Sequence, residues 1–281
     1  VTPRTILITG CSTGIGRAAA LQLHDRGHTV CATARDVDDL QALADEGMTT
    51  LPLDVTDERS MQEAVRTVID RHSRLDVLVN NAGYALQGTI EQTPMSDVRQ
   101  QFETNVFGAM RMVQLVVPSM REQRSGRIIT LGSMGGRIVL PGGGYYHATK
   151  HALEALSDAL RLEVAPFGID VVLVQPGAVR SAFVDTALDT VGPGAFDPDD
   201  PYGTFMTQVT QTYLHNYRAG APLAMDPHDV AATIVKAVGA THPRARYAVG
   251  LQARALMNGR RLLPDIAWDA MVRRSYPTPE G

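Results

Sequence analysis

The chain has only two cysteines, Cys11 and Cys31, and one tryptophan among 281 residues. With no CxxC and no second pair, a disulfide framework and a structural zinc site are excluded. No apolar run approaches the roughly 18 residues of a membrane span. Four residues precede the first run, Thr5–Thr9, and on that reading no signal peptide is expected. Neither charge sign dominates: 26 Lys and Arg stand against 30 Asp and Glu, a net charge of −4. Without a basic run, neither nucleic acid nor a membrane is an expected partner. The expectation is a reducing, cytoplasmic compartment. What is present is ordinary for a folded enzyme-sized chain, with 44% apolar and 20% charged residues, and the length suits one large domain.

Short apolar runs alternate with helix-like segments. The runs are Thr5–Thr9, Thr29–Ala34, Thr49–Asp54, Asp76–Asn80, Arg127–Leu131, Asp170–Gln175 and Arg246–Val249. Consecutive rather than alternating apolar positions mark strands covered on both faces. The helix patterns run over 15–26, 37–46, 57–72, 96–122 and 146–165. This βαβα rhythm implies an α/β fold, one doubly wound parallel sheet with helices on both faces. Residues 1–281 read as a single domain. After Gln175 the rhythm breaks into Gly, Pro and Asp clusters, Val191-Gly192-Pro193-Gly194 among them, followed by an aromatic stretch. Residues 182–225 therefore read as a substrate-binding loop or lid. Asp226 as N-cap and Pro227 at the first helical position restart a helix. Residues 251–281 read as a helical C-terminal extension.

The first strand runs into Thr9-Gly10-Cys11-Ser12-Thr13-Gly14-Ile15-Gly16 at the start of a helix. Glycines permit a sharp turn and close backbone approach. A helix N-terminus offers free N–H groups to a pyrophosphate. The TGxxxGxG spacing differs from the common GxGxxG, and a ligand-free tight turn would also satisfy it. Asn80-Asn81-Ala82-Gly83 closes the fourth strand, where small residues leave space for an adenosine; a plain turn is the alternative. Asp54 can accept from an adenine amine or cap a helix.

Tyr146 and Lys150 stand four apart on one helix face. An ammonium beside a phenol favours phenolate and lowers its pKa, which suits general acid–base work near neutral pH. Tyr145 is five residues from Lys150, about 140° around the helix. Alone, the pair also reads as a surface Tyr and a solvated Lys.

In this order the glycine turn, Asn80-Asn81-Ala82-Gly83, Asn105, Ser133 and Tyr146-x-x-x-Lys150 resemble the short-chain dehydrogenase/reductase family, closely over residues 5–182. The stretch Tyr145–Leu162 is similar to 17β-hydroxysteroid and retinol dehydrogenase-like members. The resemblance implies a Rossmann-type fold and an oxidoreductase that interconverts a carbonyl and an alcohol. It implies that Tyr146 passes the proton, that Lys150 holds the nicotinamide ribose, that Ser133 binds the substrate oxygen and that Asn105 holds a relay water. It places Val55 beside Asp54 in the cofactor site, with Pro176, Gly177, Val179 and Ser181 by the nicotinamide.

Ala34-Arg35-Asp36 ends the second strand. A carboxylate there would bind a ribose 2′-hydroxyl, whereas Arg35 pairs with a 2′-phosphate. NADP(H) is favoured and NAD(H) remains possible if Asp36 is drawn toward the ribose. The aromatics Phe183, Tyr202, Phe205, Tyr213 and Tyr217, with Met206, point to a lipophilic substrate, or simply pack the lid. No metal is expected from His147 and His151. Cys11 reads as a packing residue, although a helix start can acidify a thiol. The helix from Tyr146 bears Leu153, Leu156 and Leu160, and a second stripe of Ala148, Ala152, Ala155 and Ala159. One side packs on the sheet and the other needs a cover, which either a partner copy in a homodimer or homotetramer or the C-terminal tail would supply. A 3-oxoacyl-carrier-protein reductase would need a basic patch, for which Arg111, Arg121 and Arg124 are the candidates. A non-catalytic redox sensor is the remaining alternative.

Overall fold

The computed structural model describes residues 2–181, 183–192, 194–217, 224–276 and 278–279. Residues 182, 193 and 218–223 of the expected lid, and 277, 280 and 281 of the expected tail, lie outside the described residues. Seven strands form one sheet: β1 (Thr5–Ile8), β2 (Thr29–Ala34), β3 (Thr49–Pro52), β4 (Val77–Asn80), β5 (Gly126–Leu131), β6 (Ile169–Pro176) and β7 (Arg246–Val249). All neighbours are parallel, in the order β3-β2-β1-β4-β5-β6-β7. This is the Rossmann-like α/β architecture anticipated from the rhythm of the runs.

Every residue of β1 and β4 is buried, as strands covered on both faces must be. On one face α1 (Gly14–His24) and α9 (Pro227–Gly239) pack Leu23, Val230 and Ile234 against Ile6, Ile8 and Val172. On the other, α3 (Glu58–His72) and α5 (Ala109–Glu122) pack Val65, Val68, Met112 and Val116 against Leu7, Leu78 and Ile128. The N-cap of α9 is Asp226, whose carboxylate accepts from the His228 N–H at 2.9 Å, with Pro227 next. Arg127 of β5 is buried. It meets Asp170 and donates to the carbonyls of Ala237, Val238 and Ala240, capping the end of α9.

Two helix expectations change. Residues 37–46 hold a 3-10 turn, Asp38–Leu40, and a short α2 (Gln41–Asp45). Residues 96–122 do not form one α-helix: α4 (Met95–Phe102) and α5 are separated by a π-helical turn, Glu103–Gly108. Such turns admit an extra residue where a side chain must be re-aimed, and Asn105 sits within it.

Beyond β6 lie α7 (Phe183–Asp189) and α8 (Gly203–Tyr217), and after β7 come α10 (Leu251–Leu262) and α11 (Asp265–Ser275). Ala253 and Trp268 of these last helices pack on Met134 and Ile138. The long α6 (Gly144–Val164) buries Leu153 and Val164. Its second stripe is not covered: Ala148, Ala155 and Ala159 are exposed, as is Leu156. Among the described residues no helix is long and apolar enough to cross a membrane.

Candidate active site

From β1 the chain winds toward β2, and from β4 toward β5 on the other side. Open α/β sheets bind ligands at the carboxyl ends of strands where the winding reverses. A cavity of about 620 Å³ opens there. Gly10 (φ +72°) and Gly14 (φ +57°) shape the turn after β1 in the left-handed region, which other residues avoid. Gly10, Ser12, Thr13, Gly14 and Ile15 line the cavity. Gly16 does not; it backs the turn, and a Cβ there would lie 2.1 Å from the Gly10 carbonyl. Thr13 makes no side-chain cap and α1 has no acid in its first turn. Its leading N–H groups are thus left for an anion.

Asn81 does more than border the cavity. Its Nδ2 donates to the Thr9 and Gly10 carbonyls, both at 2.8 Å, while Thr9 Oγ1 accepts from the Asn81 and Ala82 N–H groups at 3.0 Å. The amide is a brace between β1 and β4. Thr9 is a site residue that the sequence reading did not single out, because its partner is remote in the chain. Ala82, Gly83, Val55, Pro176, Gly177, Val179 and Ser181 also border the cavity. Asp54 does too, one of its oxygens accepting from the Thr56 N–H and hydroxyl at 2.8 Å. It caps no helix; Asp57 caps α3. Arg35 is exposed on the cavity wall. β2 ends at Ala34, and Asp36 turns away to accept from the Asp38 N–H at 3.0 Å.

Tyr146, on the first turn of α6, lines the same cavity with Ser133 and Lys150. Ser133 faces the phenol across the cavity wall and lowers its pKa in part, and Ser133 Oγ accepts from the Gly135 N–H at 3.0 Å. Lys150 is 7% exposed; its Nζ donates to the Leu131 carbonyl at 2.8 Å and lies 5.7 Å from the Tyr146 ring centroid. Desolvation dominates both groups. It pushes the Tyr146 phenol up to about 12, offset in part by Ser133, and pulls the Lys150 ammonium down to about 8. The expectation that Lys150 acidifies Tyr146 is corrected for this state: the ammonium bonds a carbonyl, and burial outweighs its field.

Asn105 is not on the cavity wall. Its Nδ2 donates to Tyr84 O (2.8 Å) and Thr149 Oγ1 (3.2 Å), and its Oδ1 accepts from the Tyr84 N–H (3.0 Å). Both amide hydrogens are spent holding the loop after β4 to α6. His147 and His151 direct Nδ1 to different carbonyls, of Gly135 and His147. Burial pushes the Cys11 thiol up to about 12, so the helix start does not acidify it.

The aromatic expectation splits. Phe183, Tyr213 and Tyr217 line the cavity, with the Phe183 ring edge-on to Tyr146 at 5.8 Å. Phe205 and Met206 instead form a small core with Val209 on α8, against which Tyr202, just before the helix, packs. Tyr276, which sequence reasoning missed, reaches the cavity from beyond α11 and is hydrogen-bonded to Asn216. No local pattern marks it; only the return of the tail brings it there. The three arginines supply no patch on the cavity wall: Arg111 pairs with Glu58, and Arg121 lies over the Phe167 ring.

The short chain dehydrogenase family model matches residues 4–191. A 3-ketodihydrosphingosine reductase from Bacteroides thetaiotaomicron is 35% identical over 275 residues, covering 98% of each chain. Retinol dehydrogenase 5 of Mus musculus is 34% identical, over 98% of this chain and 89% of its own. A crystal structure of a short-chain dehydrogenase from Streptomyces avermitilis is 33% identical with a TM-score of 0.78, covering 97% of this chain and 96% of its own. Further structural neighbours were solved with NADP or NAD bound.

The buried ammonium generates a stability prediction. Lys150 sits near 8 when folded against 10.5 unfolded. The folded chain therefore disfavours the extra proton, and burial costs stability below pH 8. That cost fades as pH rises toward 10.5. Lys150→Met should stabilise the protein at pH 7 by as much as about 3 kcal/mol, read from the urea midpoint. The gain over the parent should shrink between pH 8 and 10. A destabilised variant at pH 7 would contradict the desolvation account.

Proposed function

The chain belongs to the short-chain dehydrogenase/reductase family and is an NAD(P)-dependent oxidoreductase acting on CH–OH groups; from that premise we propose that it interconverts a lipophilic ketone and its secondary alcohol, with NADP(H) as cofactor. The observation that supports it most is that Ser133, Tyr146 and Lys150 share one cavity wall, with Lys150 buried and its Nζ 5.7 Å from the Tyr146 ring centroid. Bound nicotinamide would supply or accept the hydride. In reduction, the Tyr146 phenol gives its proton to the carbonyl oxygen, which Ser133 also holds. The Lys150 ammonium then stabilises the phenolate that burial alone disfavours, and the phenolate in turn offsets the desolvation of the ammonium. Asn105 positions these groups by tying Tyr84 and Thr149 together.

The residues fit a dinucleotide. The glycine turn presents bare backbone and an uncapped helix start to a pyrophosphate. Asp54 keeps one carboxylate oxygen for the adenine side. Arg35 has no partner among the described residues, whereas Asp36 is committed to its turn, and this favours a 2′-phosphate. A lipophilic substrate is favoured by Phe183, Leu140, Val209, Tyr213, Tyr217 and Tyr276 around the far end of the cavity. Residues 182–225 are read as its cover. A 3-ketodihydrosphingosine reductase and a retinol dehydrogenase, both acting on lipophilic molecules by name, are among the relatives. The uncovered alanine stripe of α6, with Leu156 37% and Phe107 55% exposed, supports a symmetric homodimer or a homotetramer.

Three measurements check the reading. Tyr146→Phe should lower kcat by at least about 100-fold while leaving cofactor affinity within threefold; retained turnover would overturn the acid–base assignment. Arg35→Ala should raise the KM for NADPH about tenfold and that for NADH by less than twofold. Equal changes for both would remove the NADP(H) preference. Light scattering at micromolar concentration should give at least twice the 30.3 kDa chain mass, and a monomer would dismiss the paired α6 helices.

A further inference from the structure

Directly after Tyr146 stands His147, a buried residue that the proton-transfer scheme leaves without a task. Its Nδ1 lies 3.1 Å from the Gly135 carbonyl. A carbonyl can only accept, so Nδ1 carries the proton and Nε2 bears the lone pair. The ring is bracketed by glycines: a Cβ on Gly135 would come within 2.4 Å of Nδ1, and one on Gly143 within 3.3 Å of Nε2. Its orientation is therefore held by backbone. His147 lines the cavity, and its one side-chain hydrogen bond among the described residues is made by Nδ1, which leaves Nε2 for a ligand. Burial also pulls its pKa down to about 4, which keeps the ring neutral and Nε2 an acceptor at physiological pH.

The Tyr146 and His147 ring centroids are 5.6 Å apart. Both rings line the same cavity, so one substrate can meet the Tyr146 hydroxyl with its oxygen and Nε2 with a neighbouring group. We propose that His147 is a specificity-determining residue whose Nε2 accepts a hydrogen bond from a hydroxyl or amine one or two carbons from the reacting carbonyl. The cavity is then matched to hydroxy- or amino-ketones with a long apolar remainder, and to the corresponding diols or amino alcohols. The proposal rests on the ketone–alcohol reading and sharpens it. A donor-bearing substrate satisfies an acceptor that a plain ketone would leave desolvated and unpaired.

The test compares NADPH oxidation with 2-decanone, 1-hydroxy-2-decanone and 4-hydroxy-2-decanone. The parent protein should prefer at least one hydroxyketone in kcat/KM by about tenfold. His147→Phe should abolish that preference while changing kcat/KM for 2-decanone by less than threefold. His147→Leu serves if the phenylalanine variant does not fold, with NADPH affinity and the thermal midpoint as controls for both. A parent protein that treats all three ketones alike overturns the proposal and leaves the ketone reductase reading standing, as does a folded variant that keeps the preference. Turnover of none of the three by the parent, with NADPH or NADH, overturns the ketone reading and this proposal with it.

Discussion

The site depends on one side-chain amide spanning the parting of the sheet. β1 and β4 are neighbours whose chains leave in opposite directions, and nothing in their own ladder holds the loops beyond them. Asn81 does so by donating to two successive carbonyls of the glycine turn, while Thr9 returns a bond to each of two N–H groups in the opposite loop. Buried backbone groups require partners. Here the partners come from the facing loop, so the turn stays open and its helix start stays uncapped. Gly16 completes the arrangement by occupying a space too small for any Cβ.

A second constraint acts at the other end of the site. Burying an ammonium and a phenol together in a ligand-free cavity strains both in electrostatic terms: the ammonium is held below its usual range and the phenol above its own. Burial shifts each toward its neutral form, which opposes the ion pair that proton transfer would produce. A site of this kind stores a bias that bound charge can release. The same burial makes His147 a fixed, uncharged acceptor and leaves Cys11 inert. One physical term, desolvation, thus assigns different roles to four groups lining or bordering the same space.

The strands were legible in the sequence because a parallel sheet covered on both faces demands unbroken apolar runs, and β2 and β7 end where those runs end. The start of α9 was legible for a similarly local reason, since Asp226 and Pro227 act within one turn. The turn glycines announced themselves through spacing. Asn105 was visible as a residue but its setting was not: the π-helical turn arises from bonds to Tyr84 and Thr149, neither of which periodicity reveals. Aromatic content in the stretch after β6 was also visible, yet Phe205 and Met206 turned inward among themselves while Tyr213 and Tyr217 faced the cavity.

By itself, then, the sequence determined the order of strands and helices, the glycine turn and the pairing of Tyr146 with Lys150 on one helix face, because all of these follow from interactions within a few residues or from the period of a regular element. Only the tertiary structure decided what surrounds them. Asn81 becomes a brace and Tyr276 a wall of the cavity, because each meets partners far along the chain. Electrostatic character was settled at the same level: local spacing argued for an acidic phenol, and burial reversed the sign, since the cost of removing charge from water depends on every atom packed around the group.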